Sequence, residues 1–154
     1  MALFSGADAG AAESFKGAGR VPDAILTIYE ASPDDWWLGT DAGLVHYQPL
    51  RSKATRFGRR EGLSSNVVYG IVPDSSGGLW LSTENGLTHM PAGEDPCSFL
   101  RYYREDGLSN DEFLPFSSLR GKDGRYYFGG VNGLTTFRKK DLSSSTAGSD
   151  VMLT

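Results

Sequence analysis

Residues 25–29, Ile-Leu-Thr-Ile-Tyr, open the patterned part of the chain, with β-branched and aromatic side chains that favour strand and alternate between two faces. Ser32-Pro33-Asp34-Asp35 then reads as a turn, because Pro presets φ and Asp bonds its local backbone. Residues 36–40, 44–47 and 54–57 are expected as a second, third and outer fourth strand, after which 61–66 carries the chain inward. The same succession returns as strands 67–72, 79–83, 87–90 and 99–103, with the turn Asp74-Ser75-Ser76-Gly77-Gly78 and the connector 106–110. A third pass gives strands 113–119, 126–129 and 134–137 around the turn Lys122-Asp123-Gly124. It then stops without an outer strand.

Spacing makes this succession a repeat. Trp37 to Trp80 and Gly43 to Gly86 are both 43 residues apart, and Trp80 to Tyr127 and Gly86 to Gly133 are both 47. A unit of that length holds four short strands and their turns, the size of a β-propeller blade. The expected fold is all-β, with about three four-stranded antiparallel blades: residues 24–66, 67–110 and an incomplete 111–138. Residues 1–12 are expected as a flexible lead, and 139–154 as a serine-rich linker with an extra strand at its end. Residues 13–23 overlay 55–66, Gly19 falling on Gly62, and so read as the outer strand of a preceding or exchanged blade.

Repetition also sorts residues by role. Trp37, Trp80 and Tyr127 share one strand position, and a ring there covers the face of its blade while packing on a neighbour, each burying about 150–250 Å². A ligand rarely needs one residue at several angles about an axis, so packing is the preferred account over sugar stacking. Gly43, Gly86 and Gly133 are expected to supply positive φ in the turn between second and third strands. Leu44, Leu87 and Leu134, each following such a glycine, read as core. Thr40 and Thr83 give way to Gly130, which implies a β-bulge or a close backbone approach, with a ligand notch as the competing reading.

The charge balance narrows the partners. With 15 Lys and Arg against 19 Asp and Glu, the net charge of −4 provides no electrostatic footprint for nucleic acid. Arg51, Lys53, Arg56, Arg59 and Arg60 do crowd together, read as a solvated edge in preference to a polyanion site. The single Cys97 excludes an intramolecular disulfide, and His46 and His89 as the only histidines argue against structural zinc; no metal or cofactor is expected. No stretch of about 20 apolar residues is present and residues 1–19 lack signal-peptide character, so no direct membrane contact is expected.

Less repetitive residues are the candidates for recognition. Trp36 points away from the face that Trp37 covers, and Asn66, Tyr69, Tyr102 and Asn110 lie on or beside connectors, where propellers present binding rims. His46 and His89 occupy equivalent third-strand places, which points to structure. Asp34, Asp35, Asp74 and Asp123 lie in inter-strand turns, where Asp is chosen for turn formation, and no catalytic set emerges.

The strand–turn succession with Leu79-Trp80-Leu81-Ser82-Thr83, Gly86-Leu87 and Asp106-Gly107-Leu108-Ser109-Asn110 resembles the two-component regulator propeller repeat. The resemblance covers about residues 24–138, and Tyr127-Phe128-Gly129-Gly130-Val131-Asn132-Gly133-Leu134 is similar to the last blade before a β-sandwich domain. It implies a periplasmic or extracytoplasmic sensor module that binds an oligosaccharide or a partner domain and is not an enzyme. Family members carry many blades, a membrane helix and a kinase, so signalling does not transfer to this chain. Three blades leave wet end faces, and a head-to-tail dimer that exchanges its N-terminal strands into a six-bladed ring is the expected remedy. Two other readings stay open: a small propeller enzyme, lyase or hydrolase, acting through Tyr69, His46, His89 or the connector asparagines, and a purely structural interaction module.

Overall fold

The computed structural model describes residues 24–93, 98–143 and 152–153. Three four-stranded antiparallel sheets make up the fold. The first holds β1 (Ile25–Ser32), β2 (Asp35–Thr40), β3 (Gly43–Gln48) and β4 (Lys53–Phe57) in chain order. The second repeats the plan with β5 (Val68–Pro73), β6 (Leu79–Thr83), β7 (Leu87–Met90) and β8 (Leu100–Tyr102). The third contains β9 (Phe113–Arg120), β10 (Tyr126–Gly130) and β11 (Gly133–Phe137), with β12 (Met152–Leu153) as its outer strand beyond the short helix α1 (Lys139–Ser143).

The innermost strands β1, β5 and β9 pack side by side, so the sheets fan out from a shared edge as propeller blades do. Each β2–β3-type hairpin and each connector lies at one end of the strands, and the remaining turns lie at the other. The joins are tied identically. Asp41 N–H donates to the Ala24 carbonyl at 3.2 Å, Glu84 to Val67 at 3.3 Å and Val131 to Glu112 at 3.2 Å, each linking a hairpin to the residue that leads into its own innermost strand.

Burial explains why the blades hold. Trp37, Leu44, Phe57 and Leu63 of the first blade and its connector pack with Val68, Leu79, Leu81, Met90 and Phe99 of the second. Trp80, Leu87 and Leu108 meet Phe113, Tyr126, Phe128 and Phe137 of the third in the same manner. Each interface buries one tryptophan of the repeat, Trp37 or Trp80, at about 25 cal/mol per Å² of apolar area removed from water.

The third blade differs from expectation in two ways. Its outer position is taken by β12, with Thr135 opposite Leu153 and Thr136 opposite Met152, so the blade read as incomplete has a fourth strand from this chain's own segment 139–154. Tyr127 and Leu134 are half-buried, unlike Trp37, Trp80, Leu44 and Leu87. The reason is positional: they sit on the side that faces the next blade, and no fourth sheet follows among the described residues. The lead expected in 1–12 and the strand expected in 13–23 lie outside the described residues.

Candidate functional site

The ring at each repeat position stacks on its cross-strand partner. Trp37 lies opposite His46 with centroids 4.2 Å apart and planes at 12°, and Trp80 opposite His89 at 4.4 Å and 35°. Each imidazole is then held by an acid from the first inter-strand turn: His46 Nε2 lies 2.5 Å from Asp35 Oδ1, and His89 Nε2 2.8 Å from Asp74 Oδ2. The second acid is the more enclosed. Burial opposes the charge of Asp74, but the bond to His89, the N–H groups of Ser76 and Gly78, and Lys139 at 3.4 Å outweigh it, leaving its carboxyl below the ordinary 3.8. In the third blade Thr136 takes the histidine place opposite Tyr127, and Arg125 Nε donates to its hydroxyl at 3.3 Å. The histidines are therefore committed to the packing of the tryptophans, which is a structural use.

The hairpins show a second repeated device with one substitution. Thr40 Oγ1 donates to the Gly43 carbonyl at 2.7 Å and accepts from Ala42 N–H at 3.0 Å; Thr83 does the same with Gly86 at 2.8 Å and Asn85 at 3.0 Å. Gly130 has no side chain to do this. The Asn110 amide enters from the connector instead, its Nδ2 donating to the Gly133 carbonyl at 3.1 Å and its Oδ1 accepting from Asn132 N–H. A Cβ on Gly130 would lie 2.5 Å from the Asn110 amide carbon and 2.6 Å from the Glu112 carbonyl oxygen. Pairing with β9 is irregular here, two steps from Phe128 to Gly130 facing five from Ser118 to Phe113, so the extra residues lie on β9, and the first two blades carry a register shift at the equivalent place. The close approach is present at Gly130, whereas the pairing irregularity is shared with the blades that keep the threonine, and what fills the notch is a side chain of the protein.

The five candidate binding residues are scattered by the fold. Asn110 is fully buried, its amide engaged with Ser109, Asn132 and Gly133, so it offers nothing to a ligand. Trp36 packs against Leu38, Val45 and Tyr47 on the first blade's outer-facing side. Tyr102 is half-buried against Trp80 at 5.8 Å, and burial, followed by the nearby Asp106 charge, pushes its hydroxyl up from 10.0. Tyr69 lies half-buried on innermost β5. Asn66 alone is exposed on a connector, where its Oδ1 accepts from Arg59 N–H at 2.9 Å.

Two concavities flank the first two blades. One, of about 280 Å³, lies at the turn end and is lined by Tyr29, Trp37, Met90 and the two histidine-bound acids Asp35 and Asp74. The other, of about 410 Å³, lies at the connector end and is lined by Arg56, Arg59, Arg60, Glu61 and Asn66. Sequence spacing reads the basic crowd as a solvated edge, and Arg51, Lys53, Arg56, Arg59 and Arg60 are all exposed; that three of them also edge a concavity with Ala42 and Asn66 is not encoded in spacing.

Residues 62–85 match the family described as two component regulator propeller. Histidine kinase P4 of Formosa agariphila is 30% identical over 131 residues, which is 84% of this chain and 9% of that protein. The extracellular domain assigned to the hybrid two component system BT3049 of B. thetaiotaomicron superposes with a TM-score of 0.69 at 29% identity, over 79% of this chain and 16% of that one. PorZ, a surface component of the type-IX secretion system of Porphyromonas gingivalis, shares the fold at a TM-score of 0.61 and 17% identity, over 82% of this chain and 19% of its own. The chain thus spans a small fraction of the length of the relatives it matches.

Proposed function

From a chain built of two-component regulator propeller repeats and folded like the extracellular domain of a hybrid two component system, we propose a non-catalytic, extracytoplasmic sensor-type module whose connector end recognises a carbohydrate-like ligand. The observation that carries this is the division of labour among polar residues. Those that repeat, Thr40 and Thr83, His46 and His89, Asp35 and Asp74, are spent on bonds inside the blades. Around the connector-end cavity Arg56, Arg59 and Glu61 recur as Arg101, Arg104 and Asp106, but Arg60 and Asn66 stand where the second connector has Glu105 and Asp111, and unrepeated chemistry on a rigid scaffold is where recognition resides. Each histidine has Nε2 engaged by an aspartate and its ring against a tryptophan, a structural use that favours binding over turnover.

Titration of this chain with a panel of defined oligosaccharides, followed by calorimetry and by chromatography of the sugars, tests the proposal. Saturable binding with unchanged sugars is expected. Turnover that a substitution at Tyr69, His46 or His89 abolishes overturns it.

For assembly, head-to-tail self-association stays a proposal, supported by the half-buried Tyr127 and Leu134 on the face of the third blade. Since β12 already pairs with β11, the contact would run through sheet faces in place of strand exchange on that edge.

A further inference from the structure

The two connectors share a backbone device and differ in charge. In the first, Gly58 N–H is bound by Glu61 Oε2 at 2.6 Å and Arg59 N–H by Asn66 Oδ1 at 2.9 Å. In the second, Tyr103 N–H is bound by Asp106 Oδ2 at 2.9 Å and Arg104 N–H by Asp111 Oδ1 at 2.7 Å. Both turns close with a glycine at positive φ, Gly62 at 119° and Gly107 at 105°. Identical geometry at both joins marks these contacts as the means of turning the chain.

What rides on the turn is inverted between the two. Arg60 stands where the second connector has Glu105, and neutral Asn66 where it has Asp111. Arg56 and Arg59 recur as Arg101 and Arg104, so Arg60 is the added cation, and the three arginines edge the cavity of about 410 Å³ against the one carboxylate in its lining, Glu61. At the second join the acids Glu105, Asp106 and Asp111 outnumber Arg101 and Arg104. A chain with net charge −4 thus concentrates cations at one of two equivalent joins. Guanidinium groups present planar forks of donors that match oxyanions two bonds at a time.

We propose that this cavity binds the oxyanion of an acidic oligosaccharide, a uronate carboxylate or a sulfate ester, through Arg59 and Arg60 with Arg56 beside them. The proposal rests on the carbohydrate reading above and deepens it. Both arginines at the turn are exposed, so the site is one of concentrated positive potential, sensitive to salt.

The test compares an oligogalacturonate, a sulfated oligosaccharide, a neutral oligosaccharide of equal length and inorganic sulfate, by calorimetry at low and moderate salt. Expected are saturable binding of at least one acidic sugar, at least tenfold tighter than the neutral one, and loss of about tenfold in affinity in Arg59→Gln/Arg60→Gln. Arg104→Gln at the second connector should leave it unchanged. Competition by inorganic sulfate that disappears in the double variant supports the oxyanion chemistry. Sulfate bound as tightly as the acidic sugars overturns the oligosaccharide source, and acidic binding unaffected in the double variant overturns the site. Neutral sugar bound equally well, with the arginine variant unchanged, overturns the site while leaving carbohydrate recognition standing; no sugar bound at all overturns both. Thermal melting of each variant confirms that the exposed substitutions leave the fold intact.

Discussion

Asn110 and Gly130 show how one residue's loss is repaired by another from a different element. The hairpin bonds that Thr40 and Thr83 make are supplied in the third blade by an amide that reaches across from the connector. Gly130→Ala is expected to destabilise the fold by about 1–3 kcal/mol, since its Cβ meets both the Asn110 amide and the Glu112 carbonyl. In an Asn110→Ala background the same change should cost less, because one of the two clashes is gone; equal costs in a denaturant double-mutant cycle refute the coupling. Phe116 is a second residue at odds with its place, with φ of 61° and 92% exposure on β9. A bulky residue in the left-handed region is strained by about 1–2 kcal/mol, so Phe116→Gly should raise stability by about 0.5–1 kcal/mol despite the added freedom of the unfolded chain. Phe116→Val should lower it, and chemical denaturation reads both. The Thr-to-Gly departure was legible in sequence as an anomaly. Its repair was not, because nothing in the spacing says that residue 110 turns inward.

At the scale of the element, the recurring unit is a tryptophan stacked on a histidine that an acid holds in place. The second such unit gives the fold an acid limb. Asp74 has its carboxyl below 3.8 in the folded protein, so its contribution is fully present above that value and is lost as pH falls through the lower folded one. Denaturant melts of the parent between about pH 7 and about pH 3 should therefore show stability falling on acidification. Asp74→Asn should be less stable at neutral pH by about 2 kcal/mol and show a shallower acid limb; an unchanged limb would assign it to other carboxylates. The equivalence of His46 and His89 was plain from their common offset. The acids were harder, because Asp35 comes from the end of its turn and Asp74 from the start, yet both reach an imidazole. Turn shape compensates for the differing positions, and a fixed-offset comparison cannot detect it.

For the whole molecule, three blades share two tight interfaces and leave the outward face of the third half-covered. Head-to-tail association predicts a molar mass in solution of about twice that of one chain, and Tyr127→Asp on the open face should return it to one; light scattering after size exclusion measures both. A parent at single mass, with Tyr127→Asp unchanged, removes the proposal. Strand positions, blade count and the ring that seals each interface were fixed by sequence alone, because a repeat states the same local solution three times and alternation states which face is buried. The basic crowd on the first connector was visible too, as composition. Tertiary structure decided that β12 completes the third blade, that Asn110 is a clamp with no face for a ligand, and that the arginines edge a cavity. Each of these depends on which distant segments come within a few ångströms, and that follows from how the blades pack, which local propensity and spacing do not specify.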